Sequence, residues 1–137
     1  MHTIDVNSIE ILQALCDKTR LRILRLMISN PDEEACPCEF SDSLQEPEYN
    51  ISRHLKILRK AGLLSATKDG RWIYHRLVNE SLIQPFYDLV LRLNDEAGIY
   101  KDDARRFKTE IKKRATVRCV KDGPEFSKAV GKRKAYR

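Results

Sequence analysis

The segment that most constrains this chain is a cationic, amphipathic helix at residues 50–60. Ile51, Leu55 and Leu58 recur at i, i+4 and i+7, which predicts one buried helix face. A shorter helix over residues 37–45 and a turn at residues 45–48 precede it, which is helix-turn-helix spacing. The polar side of the second helix could lie in a DNA major groove, although charged surface helices are also common. The candidate base contacts are Asn50, Arg53 and His54, and the candidate phosphate contacts are Ser52 and Lys56.

A tight hairpin is predicted directly after this helix. Two strand-like runs, at residues 64–68 and 71–77, flank Asp69-Gly70, which is a strong two-residue hairpin signal. Lys68 and Arg71 stand beside the turn, where they could contact DNA phosphates. A reading helix followed by such a hairpin favours a mainly α fold with a small β-hairpin, that is, a winged helix-turn-helix.

Two cysteines begin the shorter helix. Side chains two residues apart on a helix point to nearly opposite sides, so a fully helical Cys36 and Cys38 would not bind one ion. Pro37 disfavours the helical conformation for the residue before it and is well suited to the first helical position. Cys36 then becomes the cap and both thiols can turn to one point, a pair that suits a soft, thiophilic ion. The alternative is two small, partly buried residues at a helix start.

Length and composition narrow the class of protein. A chain of 137 residues favours one domain, and no apolar run approaches the roughly 18 residues of a membrane span. The N-terminus lacks the pattern of a secretory signal. We therefore expect a cytoplasmic protein with reduced cysteines. We find no His-paired nucleophile, phosphate loop or acid pair, so we do not expect an enzyme.

The charge is distributed unevenly. Residues 1–100 hold 12 Lys and Arg against 15 Asp and Glu, whereas residues 101–137 hold 14 against 5. We accordingly predict a DNA-binding and dimerisation domain at residues 1–100 and a basic C-terminal extension at residues 101–137. The extension could add salt-sensitive, sequence-independent DNA affinity, or it could be a solvated tail without a role.

Four motifs occur in order along the chain. They are DKTRLRIL at residues 17–24, the thiol pair, SRHLKILRKAGL at residues 52–63 and GRWIYHRL at residues 70–77. Together they resemble the ArsR/SmtB family of bacterial metal-responsive repressors. The resemblance implies a homodimeric repressor that leaves its operator DNA when an effector binds. In this family the first and last core helices form the dimer interface, here the segments at residues 7–16 and 79–95.

The resemblance also implies an effector. The thiol pair falls where the family's first-described metal site lies, which points to arsenite or antimonite. That motif usually has a further Cys three residues on, where this chain has Ser41. Because trivalent arsenic prefers three sulfurs, we expect Cys119 to complete the site, from the same subunit or across the dimer, and we expect Cys16 to pack in the core. Drawing the thiols together would distort the supporting helix and displace the reading helix.

Three alternatives remain open from the sequence. The thiols could bind Cd(II) or Pb(II) in a tetrahedral site. The same fold could carry a thiol redox or persulfide sensor that pairs Cys16 with Cys119. The winged helix could instead bind a protein. The family's other common metal site needs Asp and His ligands on the last core helix, and no His occurs at residues 79–100.

Overall fold

A computed structural model describes residues 6–114 and 134–136 of the chain. Within these residues the chain forms six helices and three strands. In chain order they are α1 (Val6–Leu15), α2 (Lys18–Ser29), α3 (Pro37–Leu44), α4 (Glu48–Lys60), β1 (Leu64–Asp69), β2 (Trp72–Leu77), α5 (Gln84–Leu91), α6 (Ile99–Lys113) and β3 (Lys134–Tyr136). The winged helix-turn-helix predicted from the sequence is confirmed. None of the described helices has the length and apolar composition of a bilayer span.

The helix-turn-helix is built from α3 and α4 around a shared core. The predicted buried face of α4 is confirmed, since Ile51, Leu55 and Leu58 are fully buried in the main apolar cluster. Gln45 ends α3 in the left-handed region, with φ of 57°. The Ser41 hydroxyl then donates a 2.6 Å hydrogen bond to the carbonyl oxygen of Glu46 and fixes the turn. These contacts set the orientation of α4 on the core.

The wing is an antiparallel pair of β1 and β2, whose register runs from Leu64 opposite Leu77 to Asp69 opposite Trp72. The turn is therefore one residue later than predicted. Asp69 is buried and stays in the ladder, while Gly70 takes a φ of 63°, a conformation that glycine adopts without strain. The strand β3 pairs with the other edge of β1, giving the order β2-β1-β3, and this third strand was not predicted.

The segment after the wing is divided into two helices. The sequence predicted an apolar helix over residues 79–95 that starts or is kinked near residue 81, and a polar helix over residues 101–115. The apolar helix α5 begins later, at Gln84, with Pro85 in its first turn, and the polar helix α6 begins at Ile99. The Tyr87 hydroxyl of α5 lies 2.7 Å from the carbonyl oxygen of Val78 and 3.1 Å from that of Leu63, so α5 is fixed to the base of the wing.

Helix α6 crosses the predicted domain boundary. The boundary was placed at residue 100, which lies within Ile99–Lys113. The Phe107 ring of α6 is buried and stacks on the Phe40 ring of α3, with centroids 6.3 Å apart and planes inclined by 15°. Residues 99–113 therefore pack as part of the folded core, and the predicted boundary does not coincide with an edge of the packed helices.

Candidate effector site and nucleic-acid interface

The two cysteines at the start of α3 lie side by side. Cys36 is the extended N-cap of α3, with φ −91° and ψ 164°, and Pro37 is the first helical residue, as the sequence predicted. The Sγ atoms of Cys36 and Cys38 are 2.8 Å apart. Cys36 is fully buried and Cys38 is partly exposed. A reagent or an ion would therefore reach this pair from the side of Cys38.

The wing forms one wall of this site. Cys36 and Tyr74 are buried together, and Cys38 and Trp72 pack against them. The backbone of Ala35 pairs with that of His75, the two N–H···O distances being 2.9 and 2.7 Å. The segment that carries the thiols is thus hydrogen-bonded to β2.

An ion pair between a buried glutamate and a partly buried arginine adjoins the thiol pair. Glu39 is fully buried and its Oε1 accepts a 3.0 Å hydrogen bond from the backbone N–H of Cys36. Arg114, directly after α6, donates to the same carboxylate through Nε at 3.0 Å and Nη2 at 2.9 Å, and its guanidinium lies 5.9 Å from the centroid of the Tyr74 ring. Neither residue was predicted from the sequence to belong to the site. An acidic residue three positions after a helix cap is a recognisable signal, whereas the partner 75 residues away is not.

The third sulfur ligand predicted for this site is not among the described residues. Cys119 lies outside the part of the chain that the structure describes. Ser41, at the position of the family's third Cys, turns its hydroxyl to the helix-turn-helix turn. Cys16 is exposed at the end of α1, so the expectation that it packs in the core is wrong. Within the described residues no three His, Cys, Asp or Glu side chains are grouped so that they could hold a metal ion.

Most of the predicted DNA contacts are on the exposed surface of the protein. Ser52, Arg53 and Lys56 are exposed on α4, and Lys68 and Arg71 are exposed at the tip of the wing. Asn50 is half-buried, and its side-chain amide donates a 2.8 Å hydrogen bond to Oε1 of Glu46. The exposed cations therefore lie on two elements, α4 and the wing, as expected for phosphate and groove contacts.

His54 does not lie on that surface. It is 9% exposed, and its Nδ1 lies 3.1 Å from Nη1 of Arg20 and 3.7 Å from Oδ2 of Asp17. The reason is periodicity, because His54 is three residues after Ile51 and so belongs to the buried face of α4. The sequence contained this signal, and the prediction of a base contact for His54 did not use it.

A second histidine lies within the wing. The Nε2 atom of His75 is 2.7 Å from Nη1 of Arg59, and a guanidinium can only donate, so Nε2 accepts. Burial, followed by the positive charge of Arg59, lowers the pKa of His75 to about 4. The imidazole is therefore neutral at physiological pH, and a proton on it would face a cation.

A helix-turn-helix with exposed cationic residues on its second helix, followed by a wing with basic residues at its tip, is the architecture of a DNA-binding transcriptional regulator. Residues 17–66 match the family model described as bacterial regulatory protein, arsR family. The chain is 38% identical over 87 residues to MJ1325, an uncharacterized HTH-type transcriptional regulator of Methanocaldococcus jannaschii, covering 64% of this chain and 90% of that protein. The chain belongs to the ArsR/SmtB family of transcriptional repressors.

Two further proteins are similar to the chain. The arsenical resistance operon repressor of Escherichia coli K12 is 39% identical over 69 residues, which are 50% of this chain and 57% of that repressor. Among solved structures, HlyU from Vibrio cholerae superposes with a TM-score of 0.56 at 25% identity, covering 67% of this chain and 96% of HlyU. The similarity to the arsenical repressor thus spans about half of each chain.

Proposed function

We propose that this protein is a cytoplasmic, homodimeric repressor that leaves operator DNA when arsenite or antimonite binds Cys36, Cys38 and Cys119. The observation that carries the proposal is the 2.8 Å separation of the two sulfurs at the first turn of α3. The name of the E. coli relative, an arsenical resistance operon repressor, supports the choice of effector.

The separation of the sulfurs suggests how binding would act. Two sulfurs that are each about 2.3 Å from one ion lie about 3.8 Å apart in a tetrahedral site, and more than 2.8 Å apart at any angle between the two bonds above about 75°, as in a pyramidal site. A bound ion would therefore push the pair apart, by up to about 1 Å, rather than draw it together as the sequence predicted. Cys36 is held by its backbone hydrogen bond to Glu39 and by Pro37, so the movement would fall on the start of α3. An ion here would thus strain the helix that supports α4.

Cys119 of the same subunit is close enough in sequence to supply a third sulfur. It follows Arg114 by five residues, which span at most about 17 Å when extended. Arg114 itself contacts Glu39 within the first turn of α3. The covalent chain therefore permits a site within one subunit, with a pyramidal arrangement of three sulfurs.

A second copy of the chain would cover two exposed apolar areas. Ile9 and Leu12 on α1 are exposed, and so is a group of large apolar residues on and around α5. This group consists of Leu82, Leu89, Leu91 and Ile99. Exposed apolar area of this kind marks interaction surfaces, and a two-fold protein suits the two half-sites of an operator.

The proposed DNA contacts follow from exposure. Arg53 would read a base, Ser52 and Lys56 would contact phosphates, and Lys68 and Arg71 would contact the backbone beside the wing. Asn50 stays a candidate at the edge of the surface. His54 is not retained, because its imidazole faces Arg20 and Asp17.

Operator release, followed by fluorescence anisotropy during arsenite titration, tests the proposal. A hundredfold preference of the effector for the DNA-free dimer corresponds to about 2.7 kcal/mol of coupling. Cys36→Ser and Cys38→Ser should each abolish release, while Cys16→Ser, the same change at an exposed cysteine, should leave it intact. An undiminished arsenite response in both α3 variants would refute the proposed site. X-ray absorption should count three sulfurs around arsenic, and two in Cys119→Ser.

The same titration separates the two other candidate effectors. Cd(II) or Pb(II) would be favoured if either ion released the operator at lower concentration than arsenite. Contact between the two thiols and the exposure of Cys16 also permit a redox or persulfide sensor. For such a sensor, a thiol oxidant alone would release the operator and metalloid binding would be weak.

A further inference from the structure

Helix α6 lies along the whole length of α3. Its buried residues Asp103, Phe107 and Glu110, and then Arg114, recur at i, i+4, i+7 and i+11, which is one helix face. At 1.5 Å per residue, Asp103 and Arg114 are about 16 Å apart along the axis, whereas the eight residues of α3 span about 12 Å. The α6 face can therefore contact both ends of α3 at once.

One end of this face holds the thiol segment. Arg114 donates to both oxygens of the buried Glu39 carboxylate and to the backbone carbonyl of Glu34. Glu39 in turn accepts the backbone N–H of Cys36. A desolvated ion pair such as Glu39–Arg114 is favourable only in good geometry. A displacement of Cys36 that moves Glu39 would therefore also displace Arg114.

The other end of the face holds the end of α3. The Asp103 carboxylate, which is buried, accepts from Arg22 at 2.8 and 2.9 Å and from Arg106 at 2.9 Å. Arg106 also donates to the carbonyl oxygen of Ser43 at 2.6 Å, and Arg22 to that of Leu44 at 2.7 Å. Both arginines thus bind the last turn of α3.

From there the contacts continue into the turn before α4. The Glu46 carboxylate accepts from Arg22 at 3.1 Å, from the Thr19 hydroxyl at 2.8 Å and from the Asn50 amide at 2.8 Å. Glu46 lies between α3 and α4, and Asn50 lies in the first turn of α4. Two sets of short polar contacts, one at each end of α6, therefore link Cys36 to α4 through the body of this helix.

We propose that α6 is the arm that couples the thiol pair to the reading helix, and that Arg114 is its positioning residue at the effector site. The coupling of effector to DNA rests on the proposed function, whereas the mechanical link does not. When the sulfurs move apart, Glu39 shifts with Cys36 and pulls Arg114, and the displacement of α6 reaches Glu46 through Asp103 and Arg22. Phe107, stacked on Phe40, makes α6 and the middle of α3 move as one body.

Arg114→Gln tests the arm, with Arg105→Gln as the matched control. Arg105 is on the same helix, its side chain is 70% exposed, and it pairs only loosely with Asp102 at 3.6 Å. The measured quantity is the ratio of operator Kd values with and without arsenite. We expect Arg114→Gln to lower this ratio at least tenfold while arsenite binding, followed by sulfur–arsenic ultraviolet absorbance, changes less than threefold. Arg105→Gln should keep the wild-type ratio.

The outcomes separate the two proposals. A wild-type ratio in Arg114→Gln overturns the arm and leaves the proposed function standing. Failure of arsenite to release the wild-type protein refutes the proposed function. In that case hydrogen–deuterium exchange still tests the arm without any effector.

The exchange measurement follows the backbone amides of Glu46 and Ile51, which bond to the carbonyls of Ser41 and Pro47. Arg114→Gln should speed their exchange at least fivefold relative to the core amides of α2, and Arg105→Gln should not. Faster exchange near Cys36 with unchanged Glu46 and Ile51 would overturn the arm. If Arg114→Gln does not fold, Glu39→Gln/Arg114→Gln removes both buried charges together and serves in its place.

Discussion

Acid should destabilise this protein through His75. The imidazole is 1% exposed and its Nε2 lies 2.7 Å from the Arg59 guanidinium, and its pKa is lowered to about 4 by burial and then by Arg59. In the unfolded chain the pKa returns to about 6.5. Between these values the unfolded state binds more protons than the folded state, so stability falls as pH falls from 6.5 to 4. A difference of about 2.5 between the two pKa values corresponds to a loss of about 3 kcal/mol in the free energy of unfolding.

Urea unfolding at pH 7, 6, 5 and 4 measures this loss. The acidic residues titrate in the same range, so the comparison is with His75→Gln, whose amide oxygen can still accept from Arg59 but takes no proton. The wild type should lose about 3 kcal/mol more than His75→Gln between pH 7 and pH 4. Arg59→Gln should show a smaller loss than wild type, because burial remains and the neighbouring cation does not. Parallel pH profiles for wild type and His75→Gln would refute this account of the wing.

Three further predictions test the core, the base of the wing and the reading helix. Phe107→Ala should cost about 3–5 kcal/mol of stability by leaving a cavity against Phe40. A loss below about 1 kcal/mol in urea unfolding would contradict the packing of α6 on the core. Tyr87→Phe should cost about 1 kcal/mol, because the 2.7 Å hydrogen bond from the hydroxyl to the Val78 carbonyl is lost, whereas the Leu63 carbonyl still accepts from the Val78 N–H; an unchanged Tm would contradict this. Arg53→Ala should weaken binding to the operator by about 1–3 kcal/mol and binding to random DNA by less. Lys56→Ala should weaken binding to both DNAs equally and lower the slope of log K against log salt concentration by about 1. Anisotropy titrations at several salt concentrations separate the two roles.

The parts of the fold that local sequence determines were predictable. The buried face of α4 follows from periodicity, the wing from a two-residue turn signal, and the extended Cys36 from the proline after it. The turn of the hairpin was placed one residue too early, because the signal does not say whether Asp69 stays in the ladder. His54 was misplaced although its spacing from Ile51 was visible.

The role of α6 was not predictable by the same means. Its inner face carries Phe107 among charged residues, so its composition indicates a solvated helix. Two of the charges on that face have distant partners. Asp103 pairs with Arg22, 81 residues away, and Arg114 pairs with Glu39, 75 residues away. Pairings over such distances have no periodicity and no local motif, and a single sequence does not reveal them.

The position of the thiols links them to both elements of the proposed DNA surface. Through α3 they are connected to α4, and through Ala35 and His75 they are hydrogen-bonded to β2 of the wing. A separation of the sulfurs by up to about 1 Å would therefore act on the reading helix and on the wing together. Since both elements must fit the same half-site, a small displacement of each is enough to lose contacts on two sides. In the proposed mechanism the effector needs only to oppose one joint arrangement of α4 and the wing, so a small site at the start of α3 could release a dimer from its operator.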